Sequence, residues 1–94
     1  MAQPASMNVV ITGLVQGVMF RDFTCRNARA LGLAGFARNL PGGQAVEVQA
    51  EGERSKLEKL LVALKQGPPR AVVEKVKATW GEYTGSYYDF EVKY

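Results

Sequence analysis

The sequence predicts an α+β sandwich in which two helices cover one face of an antiparallel sheet. Several short segments are rich in β-branched residues and alternate between apolar and polar side chains, which is typical of strands with one buried face. Two longer segments gather most of their apolar residues on one side of a helical wheel, and the second repeats them at the i, i+3, i+4, i+7 spacing of an amphipathic helix. Glycine and proline separate these segments, so each predicted element ends at a recognisable turn.

The first half of the chain predicts a strand, a helix and a pair of strands. Residues 7–14 form a β-branched run that ends at a glycine-containing loop. Residues 20–31 change to helical spacing, and the glycine that follows them commonly ends a helix. Residues 35–39 and 45–51 alternate as strands, and the Leu40-Pro41-Gly42-Gly43 segment between them is typical of a turn.

The second half predicts another helix and two further strands. The helix is expected over residues 56–66, because Ser55 and Glu58 have the spacing of a capping box and a Gly-Pro-Pro segment follows. Strands are expected over residues 72–80 and 88–94. The side chains predicted to be buried in these elements are Leu57, Leu60, Leu61, Leu64, Trp80 and Tyr88.

The elements follow the order β-α-β-β-α-β, with one short further strand at the C-terminal end. This order is that of a ferredoxin-like α/β sandwich. A length of 94 residues suits one domain, expected over residues 7–94 after a flexible tail over residues 1–6. No coiled-coil heptad is present, and a monomer is expected.

Charge and composition limit the classes of partner. The net charge is +3 and the charged residues are interspersed, so no nucleic-acid surface is expected. No apolar run approaches the ~20 residues that span a bilayer, and no membrane association is expected. The single cysteine, Cys25, cannot form an intramolecular disulfide, and a cytoplasmic location is expected.

The chain contains no histidine, which removes several mechanisms. A Ser-His-Asp triad, a Cys-His pair and a histidine metal site are all excluded. Cys25 is therefore expected to be a partly buried small residue and not a nucleophile. We expect the outward-facing strand carboxylates to be solvated, with neither a metal cluster nor an acid–base pair, and no cofactor is expected. These carboxylates belong to Glu47, Glu51, Asp89 and Glu91.

The segment between the first strand and the first helix is the candidate functional site. A loop that enters a helix N-terminus carries backbone N–H groups without intrahelical partners, and the helix dipole favours an anion there. Gly17 allows a tight turn and a close approach to a ligand. Arg21 can donate a planar fork of N–H groups to phosphate oxygens. These features fit an anion site or a tight structural turn, and the Lys-Ser/Thr pair of a Walker nucleotide site is missing.

Separated motifs along the chain resemble those of the acylphosphatase family, over about residues 7–94. Phe36 stands where many members have tryptophan, and Met19 occupies the variable position of the loop. We expect both departures to be tolerated. The two longest motifs are Val15-Gln16-Gly17-Val18-x-Phe20-Arg21 and Leu31-Gly32-Leu33-x-Gly35-Phe36-x-Arg38-Asn39. The shorter ones are Gly42-Gly43-x-x-Val46-Glu47, Gly52, Gly67-Pro68 and Phe90-x-Val92-x-Tyr94.

The resemblance implies hydrolysis of the mixed anhydride between a carboxylic acid and phosphate. It implies that Arg21 and the loop amides hold the phosphate and that Asn39 orients the attacking water. It also implies a small acyl phosphate as substrate, inorganic phosphate as product and competitive inhibitor, and no metal. Without the resemblance, Asn39 would be explained as a residue that is common before turns. The amides concerned belong to Val15, Gln16, Gly17, Val18, Met19 and Phe20.

Two other functions share the predicted fold. A phosphate-sensing domain without turnover would keep the loop, but the presence of both Arg21 and Asn39 favours catalysis. A single-stranded RNA-binding module of this fold needs exposed aromatic residues on its two central strands. The candidate strands, over residues 7–14 and 45–51, contain no aromatic residue.

Overall fold

A computed structural model describes residues 3–94 and contains, within them, seven helices and strands. Of the residues predicted as a tail, Met1 and Ala2 lie outside the described part, and residues 4–6 belong to the first strand. That strand starts early because Ala5 is buried and pairs with two neighbouring strands. The elements are β1 (Pro4–Leu14), α1 (Phe20–Ala30), β2 (Ala34–Asn39), β3 (Ala45–Glu53), α2 (Arg54–Gln66), β4 (Val72–Glu82) and β5 (Phe90–Lys93).

The five strands form one sheet in the order β4-β1-β3-β2-β5. The predicted ferredoxin-like α+β sandwich is confirmed, with β1 antiparallel to β3 and β4, and β2 antiparallel to β3. The prediction of an antiparallel sheet needs one correction, because β5 pairs parallel to β2. β4 and β5 lie at opposite edges, and β5 starts at the end of the sheet where β4 stops. Its direction therefore matches that of β2.

The core lies between the helices and one face of the sheet. Alternate residues of β1, which are Met7, Val9 and Ile11, point to the helices and are buried. Leu57, Leu60 and Leu64 of α2 are also fully buried, whereas Leu61 is only partly buried. Each such side chain contributes about 1.5–3 kcal/mol through the apolar surface it removes from water. This packing fixes the position of the β1–α1 connection.

The predicted capping box at α2 is wrong. The helix begins at Arg54, its N-cap is Glu53, and no side chain caps it. Ser55 lies inside the helix and donates its hydroxyl hydrogen to Glu53 Oε1 at 2.9 Å. β3 runs directly into the helix, and the Arg54 N–H, which has no partner inside the helix, donates to Gln3 O at 2.9 Å. A backbone carbonyl thus does what the serine was expected to do.

Two further predictions fail where the β4–β5 connection crosses the end of the sheet. Glu51 was expected to be solvated, but it is only 3% exposed. Its carboxylate accepts hydrogen bonds from the N–H and hydroxyl of Thr84 and from the N–H of Gly85. Tyr88 was expected in the core and is fully exposed, because β5 begins only at Phe90. Trp80 is partly buried against the core, as predicted.

Candidate active site

A concave pocket of about 190 Å³ opens where the β1–α1 loop meets the end of β2 and the end of the chain. It contains both side chains predicted to act on the substrate, Arg21 and Asn39. Asp22, Val92 and Tyr94 also line it, and sequence analysis did not assign them to the site. The pocket is lined by Val15, Gly17, Met19, Phe20, Arg21, Asp22, Asn39, Val92 and Tyr94.

The loop between β1 and α1 turns through two residues with positive φ. Gly17 has a φ of 73°, which glycine adopts without steric cost. Met19 has a φ of 64° and is the one non-glycine residue among residues 3–94 with a positive φ. A left-handed conformation costs an ordinary side chain about 1–2 kcal/mol. Met19 is nevertheless the N-cap of α1, and its carbonyl accepts the Phe23 N–H at 3.0 Å.

The backbone N–H groups from Val15 to Phe20, called the loop amides below, and those of Arg21 and Asp22 are open. Among residues 3–94, no carbonyl or side chain accepts a hydrogen bond from any of them. The last three lie in the first turn of α1, where the helix has no internal acceptor to offer. Aligned N–H groups at a helix N-terminus attract an anion. The geometry therefore fits the predicted anion site.

The side chain of Gln16 links the loop to the β2–β3 hairpin. Its Nε2 donates to Leu40 O at 2.8 Å and to Ala45 O at 2.9 Å. Sequence analysis assigned only the backbone of Gln16 to the site. No spacing pattern in the chain indicates this link, since both acceptors are backbone carbonyls.

Arg21 extends from the first turn of α1 toward the end of β5. Its Nη1 donates to Lys93 O at 2.8 Å, and its guanidinium lies 4.5 Å from the centroid of the Tyr94 ring. Two residues at helical spacing from it, Cys25 and Arg29, both donate to Phe90 O. One face of α1 thus binds the backbone of β5, and this contact holds the guanidinium at the pocket.

Asn39 is the last residue of β2 and pairs with Val46 of β3. It shares a face of the strand with Gly35 and Ala37, which are buried on the helix side of the sheet. Within the described residues its side-chain amide has no hydrogen-bond partner, and it lines the pocket. The strand geometry, not a turn, decides where this amide points.

The structure bears on two further predictions about ionisable groups. Cys25 is 8% exposed, and its Sγ lies 3.6 Å from Phe90 O, so it is a buried small residue. Glu47 was expected to be solvated, but its side chain is only 19% exposed and is paired with Arg38. Burial raises the pKa of Glu47, but hydrogen bonds from Asn8 and Arg38 and the positive charge of Arg38 outweigh it and lower the pKa overall. Among residues 3–94, no three His, Cys, Asp or Glu side chains are close enough to hold a metal ion. No helix in the same range is long and apolar enough to cross a membrane.

Comparisons with known proteins agree with this geometry. The acylphosphatase family model matches residues 7–92. An acylphosphatase from Dehalococcoides mccartyi is 48% identical over 94% of this chain and 97% of its own. The crystal structure of the Bacillus subtilis acylphosphatase has a TM-score of 0.91 at 31% identity, covering 96% of this chain and 99% of that chain. An acylphosphatase structure from Coxiella burnetii has a TM-score of 0.90 at 35% identity, covering 97% and 94%.

These similarities extend over nearly the whole chain, and they include the segment that carries the loop, Arg21 and Asn39. They give no support to the sensing-domain or RNA-binding alternatives. The chain belongs to the acylphosphatase family, and it is a hydrolase acting on small-molecule acyl phosphates.

Proposed function

We propose that the protein cleaves acyl phosphates by holding the phosphate against the loop amides and Arg21 while Asn39 orients the attacking water. The observation that carries this proposal is that all three groups line one pocket. The amides concerned run from Val15 to Phe20, and among the residues that line the pocket Arg21 supplies the charged donor. The loop amides have no acceptor among residues 3–94, and neither does the side chain of Asn39.

The chemistry asks little more of the protein than positioning. The water oxygen bonds to phosphorus while the phosphorus–oxygen bond to the acyl group breaks, and the electron pair leaves with the carboxylate. The proton of the water passes to an oxygen of the phosphate. Because the carboxylate is a weak base, no general acid is needed at the leaving group. Hydrogen-bond donors and positive charge around the phosphate then lower the barrier.

Arg21 is held ready for this role before substrate arrives. The bond from Nη1 to Lys93 O uses one of the five N–H donors of a guanidinium. The remaining donors can reach phosphate oxygens as a planar fork. Stacking on Tyr94 limits the rotation of the side chain, so less entropy is lost when phosphate binds.

The decisive experiment follows the ultraviolet absorbance of an aromatic acyl phosphate in the presence of a chelator. Turnover unchanged by the chelator supports hydrolysis without a metal, whereas full dependence on added metal contradicts it. Inorganic phosphate, the product, is expected to inhibit competitively because it occupies the same loop amides. Inhibition that lowers kcat alone would argue against this arrangement.

We further propose that the protein acts in the cytoplasm as a monomer and that residues 4–94, which contain β1 to β5, form its single catalytic domain. Cys25 is the single cysteine, so the fold needs no disulfide and no oxidising compartment to form. The pocket is built from elements of one chain, which supports activity without a partner subunit. Sedimentation at assay concentration tests the monomer, and cell fractionation tests the location.

A further inference from the structure

The Gln16 side chain clamps the β1–α1 loop to the β2–β3 hairpin. Its Nε2 donates both of its hydrogens, one to Leu40 O at 2.8 Å and one to Ala45 O at 2.9 Å. The two acceptors flank the turn of the hairpin, and the Leu40 N–H itself donates to Ala45 O at 2.9 Å. The amide therefore binds to a closed and rigid hairpin end.

This clamp joins the two sides of the pocket. The loop amides belong to one side, and Asn39, which directly precedes Leu40, belongs to the other. A backbone bond from Gly13 N to Gln44 O, at 2.9 Å, fixes the hairpin to the end of β1. The Gln16 bonds add the loop itself to that contact. The separation between the amides and Asn39 therefore depends on Gln16.

We propose that Gln16 is a positioning residue that sets the distance between the phosphate and the attacking water. This inference rests on the proposed roles of the loop amides and Asn39. Attack in line with the leaving group requires a fixed separation of phosphorus and water oxygen, and an error of about 1 Å costs up to ~100-fold in rate. Both hydrogens of Gln16 Nε2 bind the hairpin, so this side chain affects the reaction only by positioning Asn39 and the loop.

The first test replaces Gln16 by methionine, which keeps the length of the side chain and removes both donors. Gln16→Met is expected to lower kcat by about 10- to 100-fold, with the KM and the dissociation constant for inorganic phosphate unchanged. Gln44→Met is the matched control, since Gln44 is an exposed residue of the same hairpin and its side chain forms no hydrogen bond within residues 3–94. An equal loss of phosphate affinity and kcat in Gln16→Met would overturn the proposal, because Gln16 would then only shape the phosphate site.

A double-mutant cycle separates this inference from the proposed function. In the Asn39→Ala background, Gln16→Met is expected to change kcat by no more than about 2-fold, because the two residues act through one geometry. The full single-mutant effect in that background would overturn the coupling. Normal turnover of Asn39→Ala alone would instead show that the water-orienting role is wrong, whatever Gln16 does.

A second variant keeps the test open if Gln16→Met does not fold. Gln16→Glu has the same length, and its ionised carboxylate cannot donate to the two carbonyls. Once protonated, it regains one donor. The ratio of its kcat to that of the wild type is therefore expected to rise as the pH falls. A ratio that stays flat between pH 4 and pH 8 would contradict the proposal.

Discussion

A loop lies at each end of strand β3, and the two loops differ in what their backbone N–H groups bind. At the end near Glu51, the N–H groups of Thr84 and Gly85 bind the carboxylate of the chain itself. At the other end, near Asn39, the loop amides have no acceptor among residues 3–94. One loop already holds an anion and stabilises the fold. The other can hold an anion only when a ligand supplies it.

The largest expected effect comes from the charged donor of the open end. Arg21→Gln removes the guanidinium that lines the pocket, and kcat/KM is expected to fall by about 10³-fold or more. Calorimetric titration is expected to show no binding of inorganic phosphate. Arg26→Gln is the matched control, because Arg26 lies exposed on the same helix and forms no ion pair with any other residue between 3 and 94. Normal phosphate affinity in Arg21→Gln would show that the guanidinium does not hold the anion.

The next effect separates binding from turnover at the same end. Asn39→Ala is expected to lower kcat by about 10²-fold while the affinity for inorganic phosphate stays at the wild-type value. The loop amides and Arg21 remain in place in this variant, so the anion site is intact. Steady-state kinetics with phosphate as inhibitor measures both quantities. A parallel loss of affinity would mean that Asn39 holds the phosphate and not the water.

At the filled end, a substitution is expected to act on stability instead of chemistry. Glu51→Gln introduces an amide that opposes the N–H donors of the crossing loop, and the free energy of unfolding is expected to fall by about 1–3 kcal/mol. Urea denaturation measures this change, with the exposed Glu82→Gln as control. The KM is expected to stay the same. A raised KM at full stability would show that the two ends are coupled.

Acid tests a second carboxylate, that of Glu47, on the face of the sheet away from the helices. Its pKa in the folded protein lies below the usual 4.5, so its contribution to stability is complete above that pH. The contribution is lost as the pH falls through the lowered pKa. Glu47→Gln is therefore expected to cost about 1 kcal/mol at pH 7 and progressively less in acid. Urea curves at several pH values give the difference, and a constant difference would contradict the assignment.

The smallest effect concerns the strain that the open loop carries. Met19→Asn places a residue that tolerates a left-handed backbone at a φ of 64°. The free energy of unfolding is expected to rise by about 0.5–1 kcal/mol. Met19→Ala keeps the unfavourable φ and serves as the control. Thermal unfolding measures both variants. A loss of activity with the gain in stability would show that the strain, and not only the backbone position, serves the reaction.

Much of the fold follows from periodicity, since alternation and leucine spacing locate the strands and helices to within a few residues. Periodicity does not predict the start of α2, because β3 leads into the helix without a loop. The Arg54 N–H donates instead to the distant carbonyl of Gln3. Local sequence patterns do not predict that Glu51 is buried either. Its burial depends on a connection that returns from the far edge of the sheet.

The candidate site divides in the same way. The loop and Arg21 are contiguous in the sequence, so their motif can be identified there. Tyr94 and the clamp from Gln16 depend on which strands become neighbours, and no local rule predicts that contact. Only the resemblance to the acylphosphatase family predicts a role for Asn39 in the site. Without it, this asparagine would be explained as part of a turn.

The central position of β1 has a consequence for how the protein folds. β1 lies between β3 and β4, and Met7 pairs with Ala50 on one side and with Trp80 on the other. Contacts so distant along the chain close slowly, so folding is expected to lag behind that of a helical bundle of this size. The loop amides form an anion site only once these pairings exist. Phosphate should therefore bind the native chain alone, and at 100 times its dissociation constant it should raise the free energy of unfolding by about 2.7 kcal/mol.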